Sequence, residues 1–362
     1  MRLKVERVEE YLSSVYKAPV KVSRVVPLGG EGLADLKGFG YGVPYFVEFS
    51  VGGKVKRVVL ETMRPEGFGH DHFSDRAAVL LWQHSAFNKL PKHVRSVDVG
   101  AFASDGETLK SLGDCCEFFI LTEYVGDSLL YHYDLDRIKE TCDLTGLDEE
   151  RCVALSDYLV DIHSVKKEAP RLYFRRIRDL VGHGECVFGL TDSYPSGLEY
   201  VDEKFFVDLE KRCVEWRWRL KRKAHRLSQV HGDFHPWNVM FRQGLDFIVL
   251  DRSRGEWGEP ADDVTAMTIN YIFYSLQAFG GMEDGPFLRL FLLFWRNYLD
   301  RSGDEEILSV VQPFYAWRSL VVASPLWYPN LSVDVRKKIF RFARKVLKAK
   351  KFDYEYVESY LK

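Results

Sequence analysis

Apolar and polar positions alternate through much of the first third of the chain. Residues 21–30 read as a strand running into Gly29-Gly30-Glu31-Gly32, and Tyr45-Phe46-Val47-Glu48-Phe49 reads as a second. Gly52-Gly53 is a hairpin turn, with Arg57-Val58-Val59-Leu60-Glu61 as its return strand. Ala77, Leu80, Leu81 and His84 recur at helical spacing behind a possible cap at Ser74. The apolar run Phe118–Val125, closed by Gly126, predicts a central strand leaving into a connector. Beyond about residue 128 the period becomes helical, as in Leu155, Leu159, Ile162 and Val165, or Val335, Ile339, Phe342 and Val346. This order predicts an α+β fold with two lobes. A small β-rich lobe spans 1–122, a hinge 123–127, and a larger, mostly helical lobe 128–362.

Composition narrows the class. With 46% hydrophobic and 29% charged residues, the chain has the makings of a packed globular protein. A formal net charge of -2 argues against nucleic acid or an anionic membrane as the main partner. The most apolar stretch, Phe287–Leu299, is too short to span a bilayer and contains Arg289 and Arg296. The opening MRLKVERVEEYL lacks the apolar core of a secretion signal, and no cysteine pair has CxxC spacing. A cytoplasmic location with reduced thiols is the expectation. Neither His70-Asp71-His72 nor His231 with His235 has partners at zinc-site spacing.

The chemistry concentrates in Val230-His231-Gly232-Asp233-Phe234-His235-Pro236-Trp237-Asn238-Val239 and Phe247-Ile248-Val249-Leu250-Asp251. Phosphoryl transfer needs a carboxylate for the attacking hydroxyl, hard oxygen ligands for Mg²⁺ and a hold on the phosphates. Asp233 precedes Asn238 by five residues, the spacing of a kinase catalytic loop. A hairpin through the second apolar run would return Asp251 to the side of Asn238. Asp-x-x-x-x-Asn alone arises by chance, and a His-Gly-Asp turn is an ordinary loop. The full combination is much rarer.

His231 to Asn238 resembles the motif of the aminoglycoside phosphotransferase and choline kinase group. Leu250-Asp251 and Gly258-Glu259-Pro260-Ala261-Asp262-Asp263 resemble the metal-binding segment of that group and the stretch after it. Leu155–His163 resembles the helix that often precedes the catalytic loop there. The resemblance implies a two-lobed protein-kinase-like fold and an ATP- and Mg²⁺-dependent kinase acting on a small-molecule hydroxyl. It implies that Asp233 is the base, that Asn238 and Asp251 hold Mg²⁺, that His231 and Asp263 brace the loop, and that His235 supports it.

Other assignments are looser. Gly29, Gly30 and Gly32 sit where a phosphate-covering loop belongs, though an ordinary hairpin has the same composition. Glu123-Tyr124-Val125 would offer backbone to adenine. There is no Gly-Lys-Ser/Thr, so a P-loop is excluded. Where kinase-like proteins carry a strand Lys paired with a helix Glu, this chain offers Glu61, with Arg76 as a swapped partner, and Arg64 as another route to the phosphates. Lys211–Arg226 holds eight Lys or Arg against Glu215, with Trp216 and Trp218 between them. A helix with inward aromatics and outward cations is the expectation there, ahead of RNA docking. Arg252 and Arg254 follow Asp251, and in an extended segment they would face together. Two such guanidiniums would favour a neutral or anionic acceptor over a polycation. A catalytically weak, nucleotide-binding regulatory protein and a protein- or RNA-associated kinase are the competing functions.

Overall fold

The computed structural model describes residues 3–28, 42–65, 69–89 and 91–362. The chain is mixed α+β and divides into two compact units, Met1–Glu123 and Tyr124–Lys362.

In the first unit, helix α1 (Val5–Tyr16) packs on an antiparallel sheet of β1 (Val20–Pro27), β2 (Gly42–Val51) and β3 (Lys54–Met63), in that order. The inward residues of β1 and β2, Val20, Val22, Val47 and Phe49, close on Val8 and Leu12 of α1. Positions four apart on the helix thus meet positions two apart on the strands. Val51 pairs with Lys54 across Gly52 and Gly53, whose φ values of +57° and +72° suit a two-residue hairpin. Helix α2 (Phe73–Phe87) is capped two residues earlier than expected. His72, not Ser74, is its N-cap, and the His72 amide donates to the Asp75 carboxylate at 2.8 Å. A short hairpin of β4 (Gly100–Phe102) and β5 (Leu109–Ser111) follows. The strand expected over Phe118–Val125 does not form. Its backbone is irregular, and Phe119, Ile120 and Leu121 are 91%, 87% and 89% exposed. An apolar run supplies strand-forming side chains, but a strand also needs a neighbour for its N–H and C=O groups, and no described strand pairs with this one.

The second unit is mostly helical. A two-residue strand β6 (Leu129–Leu130) leads into α3 (His132–Thr141) and α4 (Gly146–Ser164). Next come α5 (Pro170–Gly182), α6 (Val187–Ser193) and α7 (Glu203–Leu220). Four short strands follow: β7 (Ser228–Gln229), β8 (Val239–Phe241), β9 (Phe247–Val249) and β10 (Trp257–Gly258). Helices α8 (Ala261–Phe279), α9 (Pro286–Ser302), α10 (Gln312–Val322) and α11 (Val333–Lys348) complete the unit.

Helix α8 is buried on every side from Ala261 to Leu276. Two of its hydroxyls are satisfied within the helix. Thr265 and Thr268 each donate to the carbonyl four residues back at 2.7 Å, which removes the cost of burying them. Around it, α9 buries Phe287, Leu290, Phe291, Phe294 and Trp295, each worth about 1.5–3 kcal/mol on burial. The basic stretch from Lys211 forms the end of α7 and a 3-10 turn over Lys221–Arg226. Trp216 points inward and donates to the Leu347 carbonyl at 3.0 Å. Trp218, against expectation, is 58% exposed, with Arg217 and Lys221 over its ring. Among the described residues no helix is long and apolar enough to cross a membrane, and the six cysteines are free.

Candidate active site

The site grows from the β8–β9 hairpin. Val239 pairs with Val249, so the residues just before and after the hairpin are neighbours. The Leu250 amide donates to the Asn238 carbonyl at 2.8 Å, which leaves Asp251 beside Asn238 at the hairpin's open end. Asn238 ends a 3-10 turn, Pro236–Asn238, capped by His235, whose Nδ1 accepts from the Trp237 amide at 3.2 Å. Proline at the first turn position loses no needed donor there. The Asn238 Nδ2 donates to the Asp233 carbonyl at 3.0 Å, tying the two ends of the loop together.

The other support is the N-terminus of α8. The buried Asp263 carboxylate accepts from the His231 and Gly232 amides, both at 2.7 Å, and meets His163 Nε2 at 3.2 Å. His163, on α4, is fixed in turn by the Tyr298 hydroxyl at 2.9 Å. Burial alone would raise the Asp263 carboxyl. The hydrogen bond from His163, the nearby imidazoles and the His231 amide outweigh it and hold the group below its ordinary value. Gly232 has φ +90°, and a Cβ there would lie 3.2 Å from Arg176 Nη2 and 3.3 Å from the Arg254 Cβ. Both facts require glycine. His231 is buried, its Nδ1 accepting from the Asp233 amide at 3.3 Å and its ring edge-on to Phe234.

Asp233 itself is almost fully buried. Its Oδ1 accepts from Arg318 Nη1 at 2.6 Å and Arg254 Nη1 at 3.3 Å, while Oδ2 faces His235 Nε2 at 3.6 Å. Burial pushes this carboxyl up, but Arg318, His235 and Arg254 together bring it well below the usual carboxylate range. Arg318, on α10, bridges Asp233 to Asp262, donating to the Asp262 Oδ1 at 2.7 Å. Arg176, on α5, takes the Asp262 Oδ2 at 2.7 Å and the Arg254 carbonyl at 2.6 Å. The Arg318 and Arg254 guanidiniums both lie over Trp317, 3.9 and 4.9 Å from its ring centroid. Sequence reasoning missed Arg318 and Trp317. The available signal was a lone cation in the apolar run Pro313–Val322, since a buried charge requires a partner.

Asp233, Asn238, His231, His235, Asp263 and Asp251 are thus gathered in one place. The Asn238 amide nitrogen is committed, so its oxygen is the atom left for a ligand. Asp251 is exposed and makes no hydrogen bond or ion pair among the described residues. An amide oxygen beside a free carboxylate is a donor set that suits a hard cation such as Mg²⁺. No cluster of three or more His, Cys, Asp or Glu suited to a metal occurs among the described residues.

Other expected residues are placed elsewhere or differently. Gly29, Gly30 and Gly32 lie outside the described residues. Glu123 and Val125 sit in irregular backbone, and Arg64 is exposed just past β3. The Glu61–Arg76 pair is not made. Arg76 Nη1 instead donates to the carbonyls of His70, Asp71 and His72 at the start of α2, the groups nearest to it. Arg252 and Arg254 do not face together. The backbone turns at Ser253–Arg254, which breaks the extended geometry their alternation requires. Arg252 turns to the Val230 carbonyl (3.0 and 2.8 Å) and the Glu256 carbonyl (3.2 Å), and Arg254 turns to Asp233.

Residues 81–295 match the model of the phosphotransferase enzyme family, APH. No curated protein matches the chain. Among solved structures, a choline kinase from Streptococcus pneumoniae is 14% identical, covering 95% of this chain and 98% of its own, with a TM-score of 0.36. An amicoumacin kinase in complex with AMP-PNP, Ca²⁺ and Ami is 16% identical over 90% and 91%, with a TM-score of 0.42. A choline/ethanolamine kinase family protein from Mesorhizobium loti is 10% identical over 94% and 92%, with a TM-score of 0.38.

Proposed function

The chain belongs to the phosphotransferase enzyme family, and on that premise we propose that it moves the γ-phosphate of ATP to a hydroxyl of a small molecule, with Asp233 as the base and Asn238 and Asp251 as the Mg²⁺ ligands. The observation that carries this reading is the hairpin register, which sets Asn238 against Leu250-Asp251 while the Asn238 side chain holds the loop of Asp233. With Oδ1 of Asp233 taken by two guanidiniums, Oδ2, which faces His235 Nε2 at 3.6 Å, is the oxygen left to orient the acceptor hydroxyl and receive its proton. A carboxylate so far below its ordinary value is a weak base, as suits a transfer in which positioning matters more than proton abstraction. The metal, when bound, supplies charge neutralisation on the phosphate oxygens. Asn238 and Asp251 hold it, and Asp263 keeps the loop in shape by occupying the two amides at its base.

The family match rather than the fold of distant structures underlies the kinase assignment. The set of two carboxylates and one carboxamide, Asp233, Asp251 and Asn238, also argues against a regulatory protein that merely binds nucleotide, which has no need of a base. The test is ADP release from MgATP over a panel of hydroxyl compounds, with Asp233→Asn and Asp251→Ala beside the wild type. Transfer that survives both substitutions would refute the reading.

A further inference from the structure

Of the guanidiniums around Asp233, Arg254 leaves both Nε and Nη2 without a hydrogen bond, whereas Arg318 leaves only its Nε unpaired. Arg318 spends Nη1 on Asp233 and Nη2 on Asp262. Arg176 is committed to Asp262 and the Arg254 carbonyl, and Arg252 to two further carbonyls. Arg254 makes a single long bond, from Nη1 to Asp233 at 3.3 Å. Its Nε is buried with no hydrogen-bond partner, and the nearest carboxylate, Oε2 of Glu185, stands 3.6 Å away. The planar guanidinium lies over Trp317, 4.9 Å from its ring centroid. The Arg254 side chain is 19% exposed, while the Nε atom itself is buried, with Glu185 as the nearest acid to it.

The Nε–Nη2 edge of a flat guanidinium takes a carboxylate or a phosphate through two parallel bonds. Charge points the same way. Arg176, Arg254 and Arg318 face only two buried carboxylates, Asp233 and Asp262. The remaining acid, Glu185, has a side chain 63% exposed and follows Gly182-His183-Gly184, between α5 and α6. It is free to leave.

We infer that Arg254, backed by Trp317, is an anion subsite for the acceptor, so that the molecule phosphorylated carries a carboxylate or phosphate close to its reacting hydroxyl and displaces Glu185 on binding. This rests on the reading of Asp233 as the base. In the transfer the acceptor oxygen bonds to the γ-phosphorus, the bond from that phosphorus to the ADP oxygen breaks, and the hydroxyl proton passes to Oδ2 of Asp233. The acceptor's anionic group stays unchanged and only orients it. An ammonium acceptor would meet the Arg254 cation where it needs a carboxylate.

The test uses the full chain loaded with Mg²⁺ and AMP-PNP, and calorimetry with four small probes: glycerol, glycerate, glycerol 3-phosphate and ethanolamine. Glycerate or glycerol phosphate should bind about 10-fold or more tighter than ethanolamine, and which of the two wins identifies the anion as carboxylate or phosphate. Arg254→Gln should weaken the preferred anion about 10–100-fold, and far less so glycerol, with Arg254→Lys recovering part of the loss. Glu185→Gln should tighten the anion a few-fold by removing its competitor. Ethanolamine binding as tightly as both anions, equal anion affinity in wild type and Arg254→Gln, or no anion binding up to about 10 mM would overturn the subsite. ADP release by Asp233→Asn is measured alongside. Its loss with Arg254-independent anion binding rejects the subsite alone, and its persistence with Arg254-dependent binding rejects the base alone.

Discussion

The loop from His231 to Asn238 and the segment from Leu250 to Glu256 run side by side and are built in opposite ways. The first is buried at all but two positions, and its amides, carbonyls and carboxylate are held by Asp263, Asn238 and Arg318. The second is mostly exposed, turns through a left-handed Asp251, and leaves that carboxylate without a partner. A base has to be in place before the acceptor arrives, since misplacement of the reacting atoms is costly. A metal ligand has to be open to an ion that enters from water. The contrast predicts that substitutions in the first region break the fold or the chemistry, and that substitutions at Asp251 and Arg254 in the second change what binds.

The largest effect expected is that of Asp233→Asn. Loss of the base should lower turnover about 10²–10⁴-fold, equivalent to roughly 3–5.5 kcal/mol of barrier. Arg318 keeps Asp262 as a partner, so the variant should fold. ADP release and a denaturation curve measure the two separately, and turnover within about twofold of wild type would remove Asp233 from the role.

Next comes Asp263→Asn, which spoils a fully buried carboxylate with three hydrogen bonds and should cost about 3 kcal/mol of stability. It also carries a pH signature. The folded Asp263 carboxyl lies below its unfolded value, so its contribution is present in full above about pH 4 and is lost as the pH falls through the folded value. Asp233 is shifted in the same direction and acts likewise. Wild type should therefore lose stability steeply below about pH 4, and Asp263→Asn less steeply. Parallel pH profiles for the two proteins would contradict this.

Asp251→Ala is the counterpart in the open segment. Stability should stay within about 0.5 kcal/mol, as befits an exposed residue with no partner. The affinity for MgATP should fall about 10-fold or more, because an anionic ligand of the ion is gone. Calorimetry with and without Mg²⁺ separates a metal role from a direct contact with nucleotide, and an equal loss in both conditions would sink the metal assignment.

The two regions also differ in how far the sequence foretold them. The loop and its hairpin were legible because their chemistry is local: Asp233, Asn238 and Asp251 lie within nineteen positions, and one turn with a two-residue alternation fixes their register. The helices of the second unit were legible from periodicity for the same reason, as in Leu155–His163 and Val335–Val346. Contacts made at long range were not. Arg318 reaches Asp233 across 85 residues and Arg176 reaches Asp262 across 86, distances over which composition carries no register. Phe118–Val125 failed for a related reason, since strand pairing is a property of two segments and the apolar run is only one. The Arg252–Arg254 pairing failed on a turn at Ser253–Arg254, which composition does not announce.

That last failure yields the smallest prediction. Arg252 donates twice to the Val230 carbonyl and once to the Glu256 carbonyl, while the Val230 amide donates to the same Glu256 carbonyl at 3.0 Å. The guanidinium therefore staples the entry of the buried loop to the exit of the exposed segment. Its residue is exposed, so water replaces part of what Arg252→Gln removes, and the cost should be about 1 kcal/mol. Because both carbonyls belong to backbone and neither to a ligand, the affinity for glycerate or glycerol phosphate should move less than about twofold, against about 10–100-fold for Arg254→Gln. Two arginines two residues apart would then differ in kind, one holding the fold and one reading the acceptor. An Arg252→Gln protein that loses anion affinity as steeply as Arg254→Gln, with its stability unchanged, would show that the two guanidiniums act together after all.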